Sequence, residues 1–135
     1  MNSKIINYLG IDWGEKRIGL ALGDNEIKIA TPYKVVGGVD EIIKIIKDED
    51  IDAVVIGKPL RMANADLRMS DEYSEFVNLL KKKVNISIKF VDERLSSKAA
   101  DALVGDKKTK APRDAVAAML ILQTYLDKID PISKK

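Results

Sequence analysis

The 135-residue sequence predicts an α/β fold in which a mixed sheet carries helices on its faces. Two strand-like segments, 5–12 and 17–24, are separated by a turn so short that they must form an antiparallel hairpin. A third strand is expected at about 27–36, broken near Thr31 and Pro32, and helical periods then alternate with short β-branched runs. Strand–helix–strand crossovers of this kind place the later strands parallel to the first.

The two faces of the second strand differ in side-chain size. Large apolar side chains lie on one face, at Ile18, Leu20 and Leu22. The other face is nearly bare and carries Arg17, Gly19, Ala21 and Gly23. A bare face of this kind predicts that a helix or another backbone approaches the strand closely.

Two amphipathic helices and two buried strands follow. Helical spacing predicts the first helix from Val39, Ile42, Ile43 and Ile46. The same argument predicts the second helix from Tyr73, Phe76, Val77, Leu80 and Val84. Residues 51–57 and 86–91 have the composition of strands, and residues 58–69 are expected to be irregular.

The remaining chain predicts a short helix at about 96–104, which a serine can cap, and a last helix at about 112–127 that begins with a proline. Residues 1–128 are expected to form a single domain, with 129–135 as a flexible tail. No basic and apolar leader precedes the first strand, and no apolar stretch approaches the roughly 18 residues of a membrane span. A cytoplasmic protein is therefore expected.

The composition excludes several kinds of chemistry. The chain has 23 Lys and Arg against 21 Asp and Glu, with no histidine and no cysteine. It therefore has no disulfide, thiolate nucleophile, imidazole catalyst or ordinary zinc site. Carboxylates remain as the natural metal ligands, and with water they suit hard cations such as Mg²⁺ or Mn²⁺.

Acidic residues occur where the sites of such sheets form, beyond the carboxyl ends of parallel strands. Asp12 ends the first strand, Asp92 or Glu93 ends the last strand, and Asp114 falls in the first turn of the last helix. Two charges about 5 Å apart repel by roughly 3 kcal/mol at an effective dielectric of about 20. Converging acids therefore predict either a protonated carboxyl group or a divalent cation.

Each acid also has a structural explanation. Asp12 could form an Asx-turn in the hairpin, and Asp114 could serve the dipole of its helix. The acids at 92 and 93 could form a solvated corner with Arg94. The pattern of all three positions favours a site more than any single member does.

Four segments resemble the YqgF/RuvX family, an RNase H-like group described as Holliday junction resolvases and precursor ribosomal RNA nucleases. The segments are 9–24 (LGIDWGEKRIGLALGD), 54–60 (VVIGKPL), 91–95 (VDERL) and 114–126 (DAVAAMLILQTYL). They span nearly the whole chain in the family's order. One departure is the loop at 60–66, which lacks the family's glycine and follows a lysine in place of an apolar residue.

The resemblance implies an RNase H-like fold whose five-stranded sheet has the order 3-2-1-4-5 and helices on both faces. This order is expected to put Asp12 beside the end of the fifth strand. The resemblance also implies that Asp12, Glu93 and Asp114 are the catalytic residues and bind Mg²⁺ or Mn²⁺.

Basic residues cluster on loops that the fold would bring to one rim around the acids. The candidates for binding substrate phosphates are Lys16, Arg17, Lys58, Arg61, Arg94, Lys107, Lys108, Lys110 and Arg113. Such a rim suits a polyanion, although solubility alone could also explain the lysines. Trp13 and Tyr33 could stack on bases, but packing roles fit them better, so recognition of backbone and shape is expected.

The leading hypothesis is a metal-dependent endonuclease acting on structured nucleic acid, either precursor rRNA or branched DNA, as a monomer or a homodimer. A second hypothesis is a nucleotide-binding or phosphotransfer module, because the turn at 12–14 is similar to the phosphate loop of actin-like ATPases. A third is a non-catalytic protein that binds nucleic acid or ribosomes on the same fold.

Overall fold

The computed structural model describes residues 5–14, 16–58, 67–92 and 113–129. It contains five strands, β1 (Asn7–Asp12), β2 (Ile18–Asp24), β3 (Thr31–Val36), β4 (Ala53–Lys58) and β5 (Ser87–Asp92). Three helices accompany them, α1 (Val39–Asp48), α2 (Leu67–Lys83) and α3 (Arg113–Lys128). The expected short helix at 96–104 and most of the loop at 58–69 lie outside the described residues.

The strands form one sheet of order β3-β2-β1-β4-β5. β2 pairs antiparallel with β1 and with β3, whereas β4 pairs parallel with β1 and with β5. The α/β, RNase H-like fold class and the strand order are therefore confirmed. One expected consequence was wrong, because β4 lies between β1 and β5, so Asp12 is not beside the end of β5. With adjacent strands about 4.8 Å apart, the axes of β1 and β5 are separated by roughly 10 Å.

The helices cover both faces of the sheet. On one face, α1 and α2 bury a core that includes Leu9, Ile11, Leu20, Ile42, Val54, Ile56, Phe76 and Leu80. On the other face, α3 buries a second core that includes Tyr8, Ala21, Val55, Ala118, Ile121, Leu122 and Leu126. Alternation along β1 therefore assigns odd-numbered positions to the first core and even-numbered positions to α3.

The third strand begins later than its apolar residues predict, at Thr31 rather than about residue 27. The carboxylate of Asp24 accepts hydrogen bonds from the backbone N–H groups of Glu26 (2.9 Å) and Ile27 (2.8 Å). Lys28 adopts a left-handed backbone with φ of 61°. This capped turn occupies the segment that the strand was expected to use and leaves Ile27 exposed.

No helix among the described residues is long and apolar enough to cross a membrane.

Candidate active site

Asp12 is the last residue of β1, at the carboxyl end of the parallel part of the sheet. It follows Tyr8 and Gly10 on the face that α3 covers, since a Cβ built at Gly10 would meet the Cβ of Leu122 at 2.7 Å. The Asp12 side chain is half-buried. The strand therefore directs the Asp12 carboxylate to the α3 face of the sheet, beyond Gly10, which packs beneath the helix.

The first turn of α3 lies directly against the neighbour of Asp12. Gly19 of β2 is the residue opposite Asp12 in the antiparallel pair, where Cα atoms are about 5 Å apart. A Cβ built at Gly19 would overlap the carbonyl group of Asp114. Only a residue without a side chain admits the helix at this depth, so Gly19 brings Asp114 to the end of β1. The prediction that the bare face of β2 receives a helix is confirmed.

Asp114 has a cationic partner in this arrangement. Nε of Arg17 lies 3.0 Å from Oδ2 of Asp114, and the two side chains are 65% and 32% exposed. Arg17 precedes β2 on the same face as Gly19, which explains why it reaches the start of α3. The sequence predicted Arg17 as a phosphate contact, and the structure gives it a carboxylate partner as well.

The acids that sequence reasoning proposed are described only in part. Asp12 and Asp114 converge around Gly19, whereas Glu93 lies outside the described residues. Asp92 is the last residue of β5. No group of three or more acidic side chains with metal-binding geometry occurs within the ranges that the structure covers. The two described acids, Asp12 and Asp114, both lie against Gly19, and carboxylate oxygens are the ligands that a hard cation prefers.

The proposed basic rim is also described in part. Lys16, Arg17, Lys58 and Arg113 are exposed. The other candidates, Arg61, Arg94, Lys107, Lys108 and Lys110, lie outside the described residues. Lys58 ends β4 in register with Asp92, and alternation from the buried Ile56 assigns it to the face of α2 rather than that of α3.

The two aromatic candidates for base stacking pack within the protein. Trp13 lies edge-to-face on Tyr73, with ring centroids 5.8 Å apart, and tilted against Phe76 at 6.3 Å. Tyr33 packs against the same core and donates a hydrogen bond from its hydroxyl to Oε2 of Glu49 (3.2 Å). The packing roles that the sequence analysis favoured therefore hold for both residues.

Tyr8 lies four residues before Asp12 on the α3 face, and its hydroxyl is not a candidate base. Burial, and secondarily the neighbouring Tyr125, raise the pKa of Tyr8 to about 12. This shift lowers still further the small phenolate fraction that a tyrosine has at neutral pH. The two rings meet edge-to-face with centroids 5.4 Å apart, which is a packing contact in the second core.

Comparison with known proteins assigns this chain to a family. Residues 6–128 match the family model of RuvX, described as a Holliday junction resolvase. The chain belongs to the RuvX family. A curated relative from Maridesulfovibrio salexigens, named "Putative pre-16S rRNA nuclease", is 38% identical, with 90% of this chain and 98% of the relative covered. A relative from Shewanella oneidensis with the same name is also 38% identical, with 94% and 96% covered.

Solved structures share the fold of this RuvX chain. The RuvC protein of T. thermophilus in complex with a Holliday junction substrate superposes with a TM-score of 0.63 at 14% identity, covering 90% of this chain and 94% of RuvC. The Fowlpox virus resolvase in complex with Holliday junction DNA superposes with a TM-score of 0.59 at 11% identity, covering 90% and 97%. At such low identity these likenesses establish the fold alone.

Sequence reasoning on this RuvX chain missed two features of the site. The ion pair between Arg17 and Asp114 joins residues almost a hundred positions apart, so no local pattern announces it. The orientation of Lys58 toward α2 follows from strand parity once β4 is seen to end at this residue. Alternation within the VVIGK segment could have predicted it.

Proposed function

We propose that this chain is a metal-dependent endonuclease that hydrolyses phosphodiester bonds of structured nucleic acid. The observation that carries the proposal is the convergence of Asp12 and Asp114 around Gly19, at the carboxyl end of the sheet of a RuvX chain. The names of the relatives and structural neighbours suggest precursor 16S rRNA and branched DNA as substrates. The proposed place of action is the cytoplasm.

We propose that Asp12, Asp114 and Glu93 hold Mg²⁺ or Mn²⁺. Glu93 follows the last residue of β5 directly in sequence, so the proposed set takes one acid from β1, one from the position after β5 and one from α3. A bound divalent cation activates water and stabilises the leaving oxygen of a phosphodiester. The protein's own contribution is to fix the carboxylates on rigid strand and helix ends, where they need little reorganisation to bind.

The basic side chains around the acids bind the flanking phosphates in this proposal. Lys16 and Arg17 belong to the hairpin turn and Arg113 to the start of α3, and Nε of Arg17 lies 3.0 Å from Oδ2 of Asp114. Contacts of this kind position a nucleic acid backbone without reading its sequence. The paucity of aromatic residues, 5% of the chain, agrees with recognition of backbone and shape. Branched DNA would favour a homodimer, whose two sites cut two strands.

The test is a cleavage panel of precursor 16S rRNA and a four-way DNA junction, each with Mn²⁺, Mg²⁺ or EDTA. We expect at least one of the two substrates to be cleaved, and only when the divalent cation is present. Binding that survives EDTA, with no cleavage of any substrate, would instead support the non-catalytic hypothesis. Tight binding of ATP with Mg²⁺ in calorimetry, without nuclease activity, would support the nucleotide-binding hypothesis.

The ion pair of Arg17 gives a prediction about metal binding itself. Arg17→Gln is expected to tighten the binding of Mn²⁺, because the cation no longer competes with the Arg17 guanidinium for the carboxylate of Asp114. The pair is exposed, and such pairs are worth at most about 1 kcal/mol, so the gain is limited to about fivefold. Titration calorimetry with Mn²⁺ alone measures it without substrate.

Lys44→Gln is the matched control, because Lys44 is an exposed lysine of α1, which covers the face of the sheet opposite α3. It should leave the Mn²⁺ affinity unchanged. Weaker or unchanged Mn²⁺ binding by Arg17→Gln would contradict the assignment of Asp114 as a ligand in competition with Arg17.

A further inference from the structure

A cavity lies on the other side of the sheet from the two described carboxylates. Its volume is about 250 Å³, and it is lined by Lys58, Tyr73, Ser74, Val77, Asn78 and Phe90. These residues come from the end of β4, one side of α2 and β5, which is an edge strand. The volume falls just below the range of about 300–1,000 Å³ of pockets for drug-sized ligands, so it suits a single flat ring system.

Two contacts connect this cavity with the end of β1. Tyr73 donates a hydrogen bond from its hydroxyl to the carbonyl oxygen of Gly57 (3.3 Å), which fixes α2 to the end of β4. The ring of Tyr73 also makes an edge-to-face contact with the ring of Trp13, the residue that follows Asp12. The buried Tyr73 is therefore both a wall of the cavity and a support for the turn after Asp12.

The chemistry of the lining matches one nucleotide. Phe90 is 43% exposed and is the one aromatic ring among the large exposed hydrophobic side chains of the described residues. Ser74 and Asn78 lie four residues apart on α2 and offer hydrogen-bonding groups beside it. Lys58, the last residue of β4, lies at the end of the cavity nearest β1 and adds a positive charge. An aromatic face beside a positive charge is the combination that binds single-stranded nucleic acid.

We propose that the cavity between α2 and β5 binds an unpaired nucleotide of the substrate strand, with the base stacked on Phe90 and the phosphate on Lys58. The inference rests on the proposed nuclease function and specifies its substrate, a strand with an unpaired nucleotide that reaches the face of the sheet opposite the acids. A fully paired duplex cannot supply a free base face to Phe90, so the cavity selects for tails, loops or opened branch points. An apolar peptide would make no use of the charge of Lys58, which is why a nucleotide fits better.

The experiment compares binding of a single-stranded RNA dodecamer with binding of the blunt duplex of the same sequence, by fluorescence anisotropy in EDTA. Phe90→Leu keeps an apolar side chain on β5 and removes the stacking face, and it is expected to weaken binding of the dodecamer by about 5- to 100-fold. Phe90→Trp is expected to retain it. Duplex binding should not change in either variant.

Lys58 is tested by the salt dependence of the same binding. Lys58→Gln is expected to reduce the slope of log affinity against log salt by about 1 for the dodecamer, and Lys58→Arg to restore it. Ile29→Ala and Lys44→Gln are matched controls, an exposed apolar residue and an exposed lysine outside the cavity, and both should bind as the unmodified protein does.

Two results would overturn the proposal. One is that Phe90→Leu and Lys58→Gln bind the dodecamer as tightly and with the same salt slope as the unmodified protein. The other is that Phe90→Leu weakens dodecamer and duplex equally, which a general structural defect would produce. Because binding is measured in EDTA, a chain that binds through Phe90 but cleaves nothing with Mn²⁺ would refute the nuclease proposal and leave the cavity assignment standing.

Discussion

Asp12→Asn is expected to reduce cation-dependent cleavage at least about 100-fold, because loss of even an outer-sphere partner of a metal ligand costs about 10- to 100-fold. The amide of asparagine keeps the size of the side chain and removes the negative charge that a divalent cation requires. Since Asp12 ends a strand whose backbone pairs with β2, the substitution should leave the fold intact. Initial cleavage rates at saturating Mn²⁺ measure the effect, and Asp114→Asn should behave alike.

Asp40→Asn is the control for the loss of one negative charge. Asp40 is exposed in the first turn of α1, where the dipole interaction contributes about 0.3–1 kcal/mol to stability. Its cleavage rate should equal that of the unmodified protein. A cleavage rate for Asp12→Asn within a few fold of the control would refute Asp12 as a metal ligand, provided that both variants unfold at similar urea concentrations.

Much of the architecture could be predicted because its causes are local. The hairpin followed from a turn too short for any crossover, and the bare face of β2 predicted the contact with a helix. Gly19, Ala21 and Gly23 face α3 as that argument required. The apolar stripe of α2 also predicted its buried side, since Tyr73, Phe76, Val77 and Leu80 are all buried.

The errors concern structure that local pattern does not determine. The late start of β3 depends on the side chain of Asp24, which accepts two backbone hydrogen bonds and converts an apolar segment into a turn. The placement of Asp12 beside β5 is a different kind of error, because it disagrees with the predicted and confirmed strand order, in which β4 lies between β1 and β5. The partner of Arg17 depends on how α3 is seated on the sheet, which follows from tertiary packing.

The packing of α3 on the sheet links the fold of this chain to its proposed chemistry. The acids of the proposed site come from elements far apart in sequence, and only close approach of α3 brings Asp114 to Asp12. Three glycines face the helix along this contact, Gly10, Gly19 and Gly23. Small residues beneath α3 therefore serve the proposed catalysis as well as packing.

Gly19→Ala is expected to be the most destabilising single-methyl substitution in the described sheet and to abolish cleavage as well. The added Cβ would overlap the carbonyl group of Asp114 and lie 2.9 Å from the backbone nitrogen of Ala115. Backbone atoms of a helix cannot rotate away as a side chain can, so the start of α3 must move outward. Overpacking of this kind costs typically 1–3 kcal/mol and occasionally more, and we expect about 3 kcal/mol from urea unfolding.

A graded glycine series separates this effect from a general intolerance of alanine. Gly38→Ala should change stability by less than about 1 kcal/mol, because nothing lies within 4 Å of a Cβ at this extended position before α1. Gly10→Ala should fall between, since its Cβ would meet the Cβ of Leu122 at 2.7 Å and the carbonyl oxygen of Ala118 at 3.0 Å. If Gly19→Ala unfolds at the same urea concentration as Gly38→Ala, α3 does not pack on β2 at this depth. Gly19 would then not hold Asp114 near Asp12.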